Sequence, residues 1–340
     1  MTATGGQSFG ATILDAEGLR LSADEKALFR AVNPFGFILF ARNIDSPDQI
    51  RALCDDFREA VGYDAVITID QEGGRVQRLR APLGREWLPP LEFVHRSGDQ
   101  AERAMYLRYR LIADELHALG IDSNCAPMVD LAGDTTHDFL RNRCYGSDPA
   151  EVARLGRAAA DGMLAGGVLP VLKHVPGHGR ATQDSHFDLP RIAADHTSLS
   201  THDFAPFKTL NDLPMAMTAH LVYEQIDPNP ATCSPAVMRL IREEIGFDNL
   251  IMTDDISMKA LSGSLLQITG DALAAGCDVI LLCNASFEER AAVAGAAGEM
   301  TAAAQRRAHR ALAARRAPDV FDIAAAEAEL DRLLRGARHG

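Results

Sequence analysis

The sequence predicts a single (β/α)₈ barrel whose active site lies at the carboxyl ends of its strands. Eight short apolar runs alternate with stretches of helical period, which is the order expected of a parallel sheet built from βα units. Polar residues follow most of these runs directly, and no Gly-x-Gly-x-x-Gly follows the first one. Eight units therefore favour a closed barrel over an open doubly wound sheet.

The predicted strands are short and apolar or β-branched: Phe9–Ile13, Gly36–Phe40, Ala65–Ile69, Ile121–Val129, Val168–Leu172, Met215–Thr218, Leu250–Thr253 and Val279–Leu282. Amphipathic periodicity predicts helices over Ser46–Val61, Asp99–Leu119, Asp148–Ala165, Ser234–Ile245 and Phe287–Arg316. In the first of these, Ser46 is the expected N-cap and Pro47 the first helical residue. One catalytic domain is expected over 1–340, with 317–340 as a C-terminal helical extension.

Composition limits the classes of partner. The 340 residues are 47% hydrophobic and 24% charged, as in ordinary globular proteins, and the formal net charge is −13. An acidic chain argues against nucleic acid or an anionic membrane as partner, because both demand a basic surface. The six cysteines form no Cys-x-x-Cys pair, and the N-terminus has neither a basic nor an apolar leader region. We expect a soluble, cytoplasmic monomer with reduced, structural cysteines.

Several chemistry-bearing residues come directly after predicted strands, and in a barrel those strand ends share one face. They are Asp70, Asp130, Lys173, His174, His220 and the pair Asp254 and Asp255. Asp70 opens a segment with a glycine pair and two arginines, where a carboxylate can accept two hydroxyl hydrogen bonds from a sugar. The Asp254-Asp255 pair suits covalent glycoside hydrolysis, but it is equally an ordinary acidic first turn of a helix.

Residues 173–186 are the most informative stretch, with three histidines, a lysine, an aspartate and two glycines in fourteen positions. Asp184 and His186 are two residues apart, so in an extended loop both side chains point to the same side. A carboxylate beside an imidazole can fix its tautomer and hold its pKa near the working pH, which suits a proton carrier. Gly177 and Gly179 give this loop backbone freedom, so we expect it to swing over a bound substrate.

The same histidines are candidates for a metal site. The possible ligands are His174, His178, His186, Asp184 and His220. The chain lacks the His-x-His of barrel metallohydrolases, and Pro176 with two glycines prevents a helix from presenting His174 and His178 together. We expect neither a metal nor another cofactor.

Four separated motifs carry a family resemblance: 70–78 (Asp-Gln-Glu-Gly-Gly-Arg-Val-Gln-Arg), 173–179 (Lys-His-Val-Pro-Gly-His-Gly), 184–186 (Asp-Ser-His) and 253–258 (Thr-Asp-Asp-Ile-Ser-Met). In this order they resemble glycoside hydrolase family 3, and within it the cytoplasmic β-N-acetylglucosaminidases of bacterial peptidoglycan recycling. The resemblance covers nearly the whole chain.

The resemblance implies a role for each motif. Asp254, rather than Asp255, corresponds to the nucleophile, and His186 to the general acid/base with Asp184 as its partner. Contacts to the sugar hydroxyls and the N-acetyl group are implied for Asp70, Arg78, Arg143, Lys173 and His174. The chain departs from the family at Cys144, where a serine is usual after the arginine, and at Val175, where phenylalanine is usual.

The implied activity is removal of terminal, β-linked N-acetylglucosamine from small peptidoglycan fragments, with retention through a covalent intermediate. A low aromatic content of 6%, with Trp87 as the single tryptophan, argues against a long stacking platform for polymers. Two alternatives use the same residues differently. A β-N-acetylglucosaminide phosphorylase or broader β-glycosidase would keep the whole site, whereas a sugar-binding protein would not need Asp254 or His186.

Overall fold

The computed structural model describes residues 6–134, 136–183 and 188–336. Eight parallel strands within these ranges form the centre of the molecule. They are β1 (Gly10–Leu14), β2 (Pro34–Leu39), β3 (Val66–Ile69), β4 (Ser123–Asn124), β5 (Leu169–Val175), β6 (Met215–Thr218), β7 (Leu250–Met252) and β8 (Ile280–Leu281).

The strands pair in two parallel sheets, ordered β8-β1-β2-β3 and β7-β6-β5-β4. Backbone hydrogen bonds join the sheets at both seams. Between β3 and β4, the Cys125 N–H donates to the Ile69 carbonyl over 2.9 Å, and between β7 and β8 the Thr253 N–H donates to the Val279 carbonyl over 2.9 Å. The strands therefore follow one another around a ring, which is the predicted barrel.

Helices surround the barrel. The α-helices span Ala23–Val32, Pro47–Val61, Pro90–Ser97, Ala101–Ala118, Asp138–Arg141, Pro149–Ala165, His196–Ser198, Ala205–Thr209, Pro235–Glu243, Leu265–Ala275, Phe287–Ala297, Ala302–Ala313 and Ile323–Gly336. Short 3₁₀ turns lie at Ala41–Asn43, Gly98–Gln100 and Ala231–Cys233, and a π-turn at Leu199–Asp203. Ser46 caps its helix by accepting from the Gln49 N–H, and Pro47 is the first helical residue, as predicted.

Two predicted elements are wrong in extent. The strand expected over Ile121–Val129 is reduced to Ser123–Asn124, because Pro127 has no N–H and the Ala126 N–H turns back to the Asn124 carbonyl. The helix expected over Phe287–Arg316 is two helices. Gly298 ends the first with φ of 60°, and Thr301 caps the second.

Two short strand pairs flank the mouth of the barrel. Gln71–Gly73 and Val76–Gln77 form an antiparallel hairpin directly after β3, and Arg191–Ile192 pairs in parallel with Val222–Tyr223. Gly73 has φ of 107°, and a Cβ there would lie 1.9 Å from the Arg108 guanidinium. The last helix, Ile323–Gly336, contacts the helices Pro90–Ser97 and Ala101–Ala118 on the outside of the barrel.

No helix in the described ranges is long and apolar enough to span a membrane. All six cysteines lie in those ranges and are free, and five of them are buried. Cys144, which replaces the usual serine, packs against the Leu140 carbonyl at 3.5 Å, and Val175 is a buried residue of β5. Both departures from the family pattern are thus accommodated by packing.

Candidate active site

One pocket at the carboxyl ends of the strands collects most of the predicted site residues. It encloses about 230 Å³. Six predicted residues line it: Asp70, Arg78, Arg143, Lys173, His174 and Asp254. They come from four different strand ends or the loops that follow them, so the barrel brings together side chains far apart in sequence. Asp184 and His186 lie outside the described residues.

The binding side of the pocket is a network of alternating charges. Asp70 accepts from Arg78 at 2.9 Å through Oδ2 and from Lys173 Nζ at 3.1 Å through Oδ1. Burial alone would raise the pKa of Asp70, but the positive charges of Lys173 and Arg78 outweigh it and hold that pKa well below its usual range. Asp70 is therefore ionised at neutral pH and available as an acceptor for sugar hydroxyls.

Lys173 and His174 lie within β5 rather than after it, because this strand extends to Val175. Their side chains nevertheless both reach the pocket. Lys173 is 2% exposed, and burial would lower its pKa, but the neighbouring carboxylates Glu72 and Asp70 raise it above its ordinary value. Lys173 therefore remains a cation inside the barrel.

Asp130, in the segment that follows β4, orients His174. The His174 Nδ1–H donates to Asp130 Oδ2 over 2.7 Å, and burial of Asp130 is outweighed by the nearby histidines, which lower its pKa. When the ring is neutral, this bond fixes the tautomer whose Nε2 carries a lone pair. In the sequence, Asp130 follows a predicted strand, but its role depends on its contact with His174, which only the folded barrel shows.

Asp254 and Asp255 are adjacent but differ in their surroundings. Asp254 Oδ1 accepts the Asp255 N–H over 2.8 Å. Burial would raise the pKa of Asp254, but His220, His174 and this hydrogen bond outweigh it and lower the pKa. Burial instead raises the pKa of Asp255 to about 6, against the opposing hydrogen bonds from Ser257. Asp254 is the better ionised of the two carboxylates.

Two further histidines, His178 and His220, lie near the pocket. His220 Nε2–H donates to the Asp255 carbonyl over 3.0 Å, and Nδ1 lies 2.7 Å from Thr232 Oγ1. Burial and the neighbouring His174 lower the pKa of His178 to about 4, so its ring is neutral at working pH. Neither ring is set up as a proton donor to a substrate.

Gly177 and Gly179, which were expected to give the loop backbone freedom, are closely packed in the structure. The Tyr223 hydroxyl donates to the Gly177 carbonyl, and the His178 N–H donates to Asp130 over 2.6 Å. A Cβ on Gly179 would lie 2.1 Å from the Leu131 carbonyl oxygen. The missing Cβ of Gly179 permits this close packing, and the swing of the loop over a substrate stays a prediction.

The described residues hold no group of three or more histidine, cysteine, aspartate or glutamate side chains arranged to bind a metal ion. Of the candidate ligands in these ranges, His174 is bonded to Asp130, and His220 to Thr232 and Asp255. His186 and Asp184 fall outside them.

Known proteins are similar to this chain in sequence and in fold. The N-terminal domain of glycosyl hydrolase family 3 matches residues 12–313. A β-hexosaminidase of Alkalilimnicola ehrlichii is 38% identical over 282 residues, covering 81% of this chain and 81% of the relative. A β-hexosaminidase of Pseudomonas aeruginosa is 38% identical over 279 residues, covering 81% of this chain and 82% of the relative.

Solved structures of related proteins have a similar fold. A family 3 β-N-acetylglucosaminidase from Paenibacillus superposes with a TM-score of 0.79 at 30% identity, and 97% of this chain covers 62% of that longer protein. NagZ from Neisseria gonorrhoeae, in complex with zinc ion, superposes with a TM-score of 0.79 at 28% identity, covering 97% of this chain and 96% of the other.

Proposed function

The chain belongs to glycosyl hydrolase family 3, and on that basis we propose that it removes terminal, non-reducing N-acetylglucosamine from small peptidoglycan fragments with retention of configuration. It is a glycoside hydrolase of the β-N-acetylhexosaminidase class, like its relatives at 38% identity. The observation that carries the proposal is the single pocket that Asp254 shares with Asp70, Arg78, Lys173 and His174.

Asp254 is the proposed nucleophile. It lines the pocket, and its lowered pKa keeps it ionised at neutral pH. Asp255 also borders the pocket, but both its oxygens are occupied. Oδ1 accepts from the Ser257 and Cys283 N–H groups at 3.0 and 3.1 Å, and Oδ2 accepts from Ser257 Oγ at 2.7 Å. Asp255 therefore holds the turn that presents Asp254.

His186 is the proposed general acid/base, with Asp184 as its partner. The proposal depends on the Asp-Ser-His motif, because both residues lie outside the described ranges. The surroundings of His178 and His220 support it, since one ring is neutral and the other is bonded at both nitrogens. A histidine from the loop after β5 remains as the proton carrier.

The reaction then has two steps. An Asp254 oxygen attacks the anomeric carbon while the His186 imidazolium gives its proton to the leaving oxygen, and the glycosidic bond breaks. Water next attacks the same carbon, neutral His186 takes the water proton, and the bond to Asp254 breaks. The β-anomer of N-acetylglucosamine is released, and the acid/base returns to its protonated form.

The pocket suits one sugar residue at a time. Its 230 Å³ is below the range of about 300–1,000 Å³ typical of sites for drug-sized ligands. Arg75 and Arg78 line it as well, and each guanidinium lies near an aromatic ring, Phe139 and Phe40 respectively. These cations favour an anionic leaving group, such as a lactyl- and peptide-bearing sugar, although the whole protein is acidic.

A panel of aryl β-glycosides with and without the 2-acetamido group tests the proposal. We expect rapid release of the aryl group from the N-acetyl-β-glucosaminide and slow or no release from the glucoside and xyloside. Proton NMR of the first product should show the β-anomer. Preference for the glucoside, an initial α-anomer, or sugar 1-phosphate as main product in phosphate buffer would each contradict a part of the proposal.

A further inference from the structure

Glu72 lies behind the pocket wall and contacts two of the cations that line the pocket. Its side chain is 1% exposed. Oε1 accepts from Lys173 Nζ at 2.7 Å and from the Arg143 guanidinium at 2.7 Å, and Oε2 accepts a second Arg143 bond at 3.0 Å. One buried carboxylate thus joins β5 to the loop that carries Arg143.

The backbone around Glu72 is held on both sides. The Asn124 side chain accepts the Gln71 N–H at 2.9 Å and donates to the Gln71 carbonyl at 3.1 Å. The Glu72 carbonyl accepts from Arg108 over 2.6 Å. Glu72 therefore sits on a short hairpin whose position is fixed by groups from two other elements.

Arg108 is a buried cation that donates a hydrogen bond to this hairpin. Its side chain is fully buried, it donates to the Glu72 and Leu88 carbonyls, and its guanidinium lies 4.5 Å from the Phe93 ring centre and 5.4 Å from that of Trp87. The missing Cβ of Gly73 leaves room for this approach. The Arg108 guanidinium is thus directed at the peptide that carries Glu72.

The charged groups around Glu72 indicate what its carboxylate does. Lys173 lies between two carboxylates, and its bond to Glu72 at 2.7 Å is shorter than its bond to Asp70 at 3.1 Å. Burial would raise the pKa of Glu72, but Arg143 and Lys173 lower it to about 2, so the Glu72 carboxylate is ionised. Without that charge, Lys173 would turn fully to Asp70 and occupy the oxygens that a sugar needs.

We infer that Glu72 is a positioning residue, which holds Lys173 and Arg143 in place for the saccharide and keeps Asp70 available to its hydroxyl groups. The inference rests on the proposed function, because the saccharide is the ligand. Glu72 acts through the two cations and not by touching the substrate. Its loss should therefore have little effect once those cations are themselves removed.

A double-mutant cycle tests this. Glu72→Gln keeps the shape and removes the charge, and Lys173→Met removes one of its partners. We expect E72Q to lower kcat/KM on an aryl N-acetyl-β-glucosaminide, and the affinity for free N-acetylglucosamine measured by calorimetry, about 10- to 100-fold. In the K173M background the further loss from E72Q should shrink several-fold, because the two changes remove one interaction. A parallel cycle uses Arg143→Met.

Asp56→Asn is the matched control. Asp56 is also a buried carboxylate bonded to two cations, Arg20 at 2.6 Å and Lys26 at 2.7 Å, but it lies on the helix Pro47–Val61. D56N should lower the unfolding temperature without changing KM or the affinity for N-acetylglucosamine. If E72Q does not fold, Glu72→Asp keeps the charge but shortens its reach, and should weaken the same two quantities in a folded protein.

Independent, multiplicative losses in both cycles would overturn the inference, as would wild-type sugar affinity in E72Q or E72D. Failure of the proposed function is a separate result, because it would appear as an absence of N-acetylglucosaminide cleavage by the unmodified protein. Binding of N-acetylglucosamine is measured without turnover, so the cycle on affinity still decides the role of Glu72 if the reaction proves different.

Discussion

The backbone N–H of Asp255 donates to Oδ1 of Asp254 over 2.8 Å, so the second aspartate of the pair orients the first. The carboxylate of Asp255 is meanwhile held by Ser257 and the Cys283 N–H. Two adjacent residues of one type thus have opposite pKa shifts, with that of Asp254 lowered and that of Asp255 raised to about 6. The different surroundings of Asp254 and Asp255 therefore suit them to different roles.

A mechanism-based label should attach to Asp254. A 5-fluoro-N-acetylglucosaminyl fluoride forms a slowly hydrolysed glycosyl enzyme, and fragmentation of the labelled peptide by mass spectrometry separates the two aspartates. We expect the sugar on Asp254, and D254N should lose about 10⁴-fold or more in kcat. D255N serves as the control, because it keeps the nucleophile and should still be labelled. A label on Asp255 would falsify the assignment.

Stability should depend on pH through Asp255. Its folded pKa of about 6 lies above the ordinary value of 3.8, so between about pH 4 and pH 6 the folded protein holds a proton that the unfolded chain has released. This group's contribution to stability is complete below pH 4 and is lost as the pH rises through 6. Asp255→Asn removes that titration. Urea denaturation should show D255N gaining roughly 1–2 kcal/mol relative to the unmodified protein across this window; parallel curves would refute it.

The strands of the barrel could be predicted because each is a short buried run with polar residues nearby, as Met215–Thr218 shows between Asp212 and His220. The predicted ends of strands and helices were wrong where tertiary contacts determine them. The Ala126 N–H turns to Asn124 instead of joining the ladder, and residues 298–300 bond to β1, which separates two helices. Gly298 and Thr301 were the signals for that break in the helix prediction.

The pocket residues could be predicted from motifs at strand ends, but their supports could not. Asp130 and Glu72 act through His174, Lys173 and Arg143. Those partners lie between 44 and 101 residues away in sequence, and only the folded barrel brings them into contact. The residues next to a carboxylate in sequence do not show whether it is buried and holds other side chains in place or is exposed to solvent. Sequence identifies the groups that face a substrate more readily than the groups that hold them.

Chelation should leave activity intact. In the proposed mechanism a carboxylate and an imidazole carry the chemistry, and His174 and His220 are bonded to protein groups. We expect turnover of the aryl N-acetyl-β-glucosaminide to survive exhaustive treatment with EDTA or dipicolinate, with the untreated enzyme as reference. Because NagZ from Neisseria gonorrhoeae was solved with zinc ion, zinc should also be added back. Activity that is lost on chelation and restored by zinc would establish a metal requirement.

The acid/base role of His186 makes a prediction that depends on the leaving group. A sugar leaving group needs a proton from the enzyme, whereas dinitrophenolate leaves readily without one. Replacing His186 with alanine should slow cleavage of a natural disaccharide by roughly 10²–10⁴-fold. The first step with a dinitrophenyl N-acetyl-β-glucosaminide should be much less affected, so hydrolysis of the glycosyl enzyme becomes limiting and a burst of dinitrophenolate appears.

His196→Ala is the matched control, because His196 is exposed and bonded to Glu244 at 2.8 Å, and H196A should retain both activities. Stopped-flow measurement of the burst separates the two steps, which steady-state rates alone would merge. Equal losses on both substrates, without a burst, would mean that His186 only positions the sugar. The proton would then have to come from His178 or His220, and for either ring that would require a rearrangement, because burial holds the pKa of His178 near 4 and both nitrogens of His220 are already bonded.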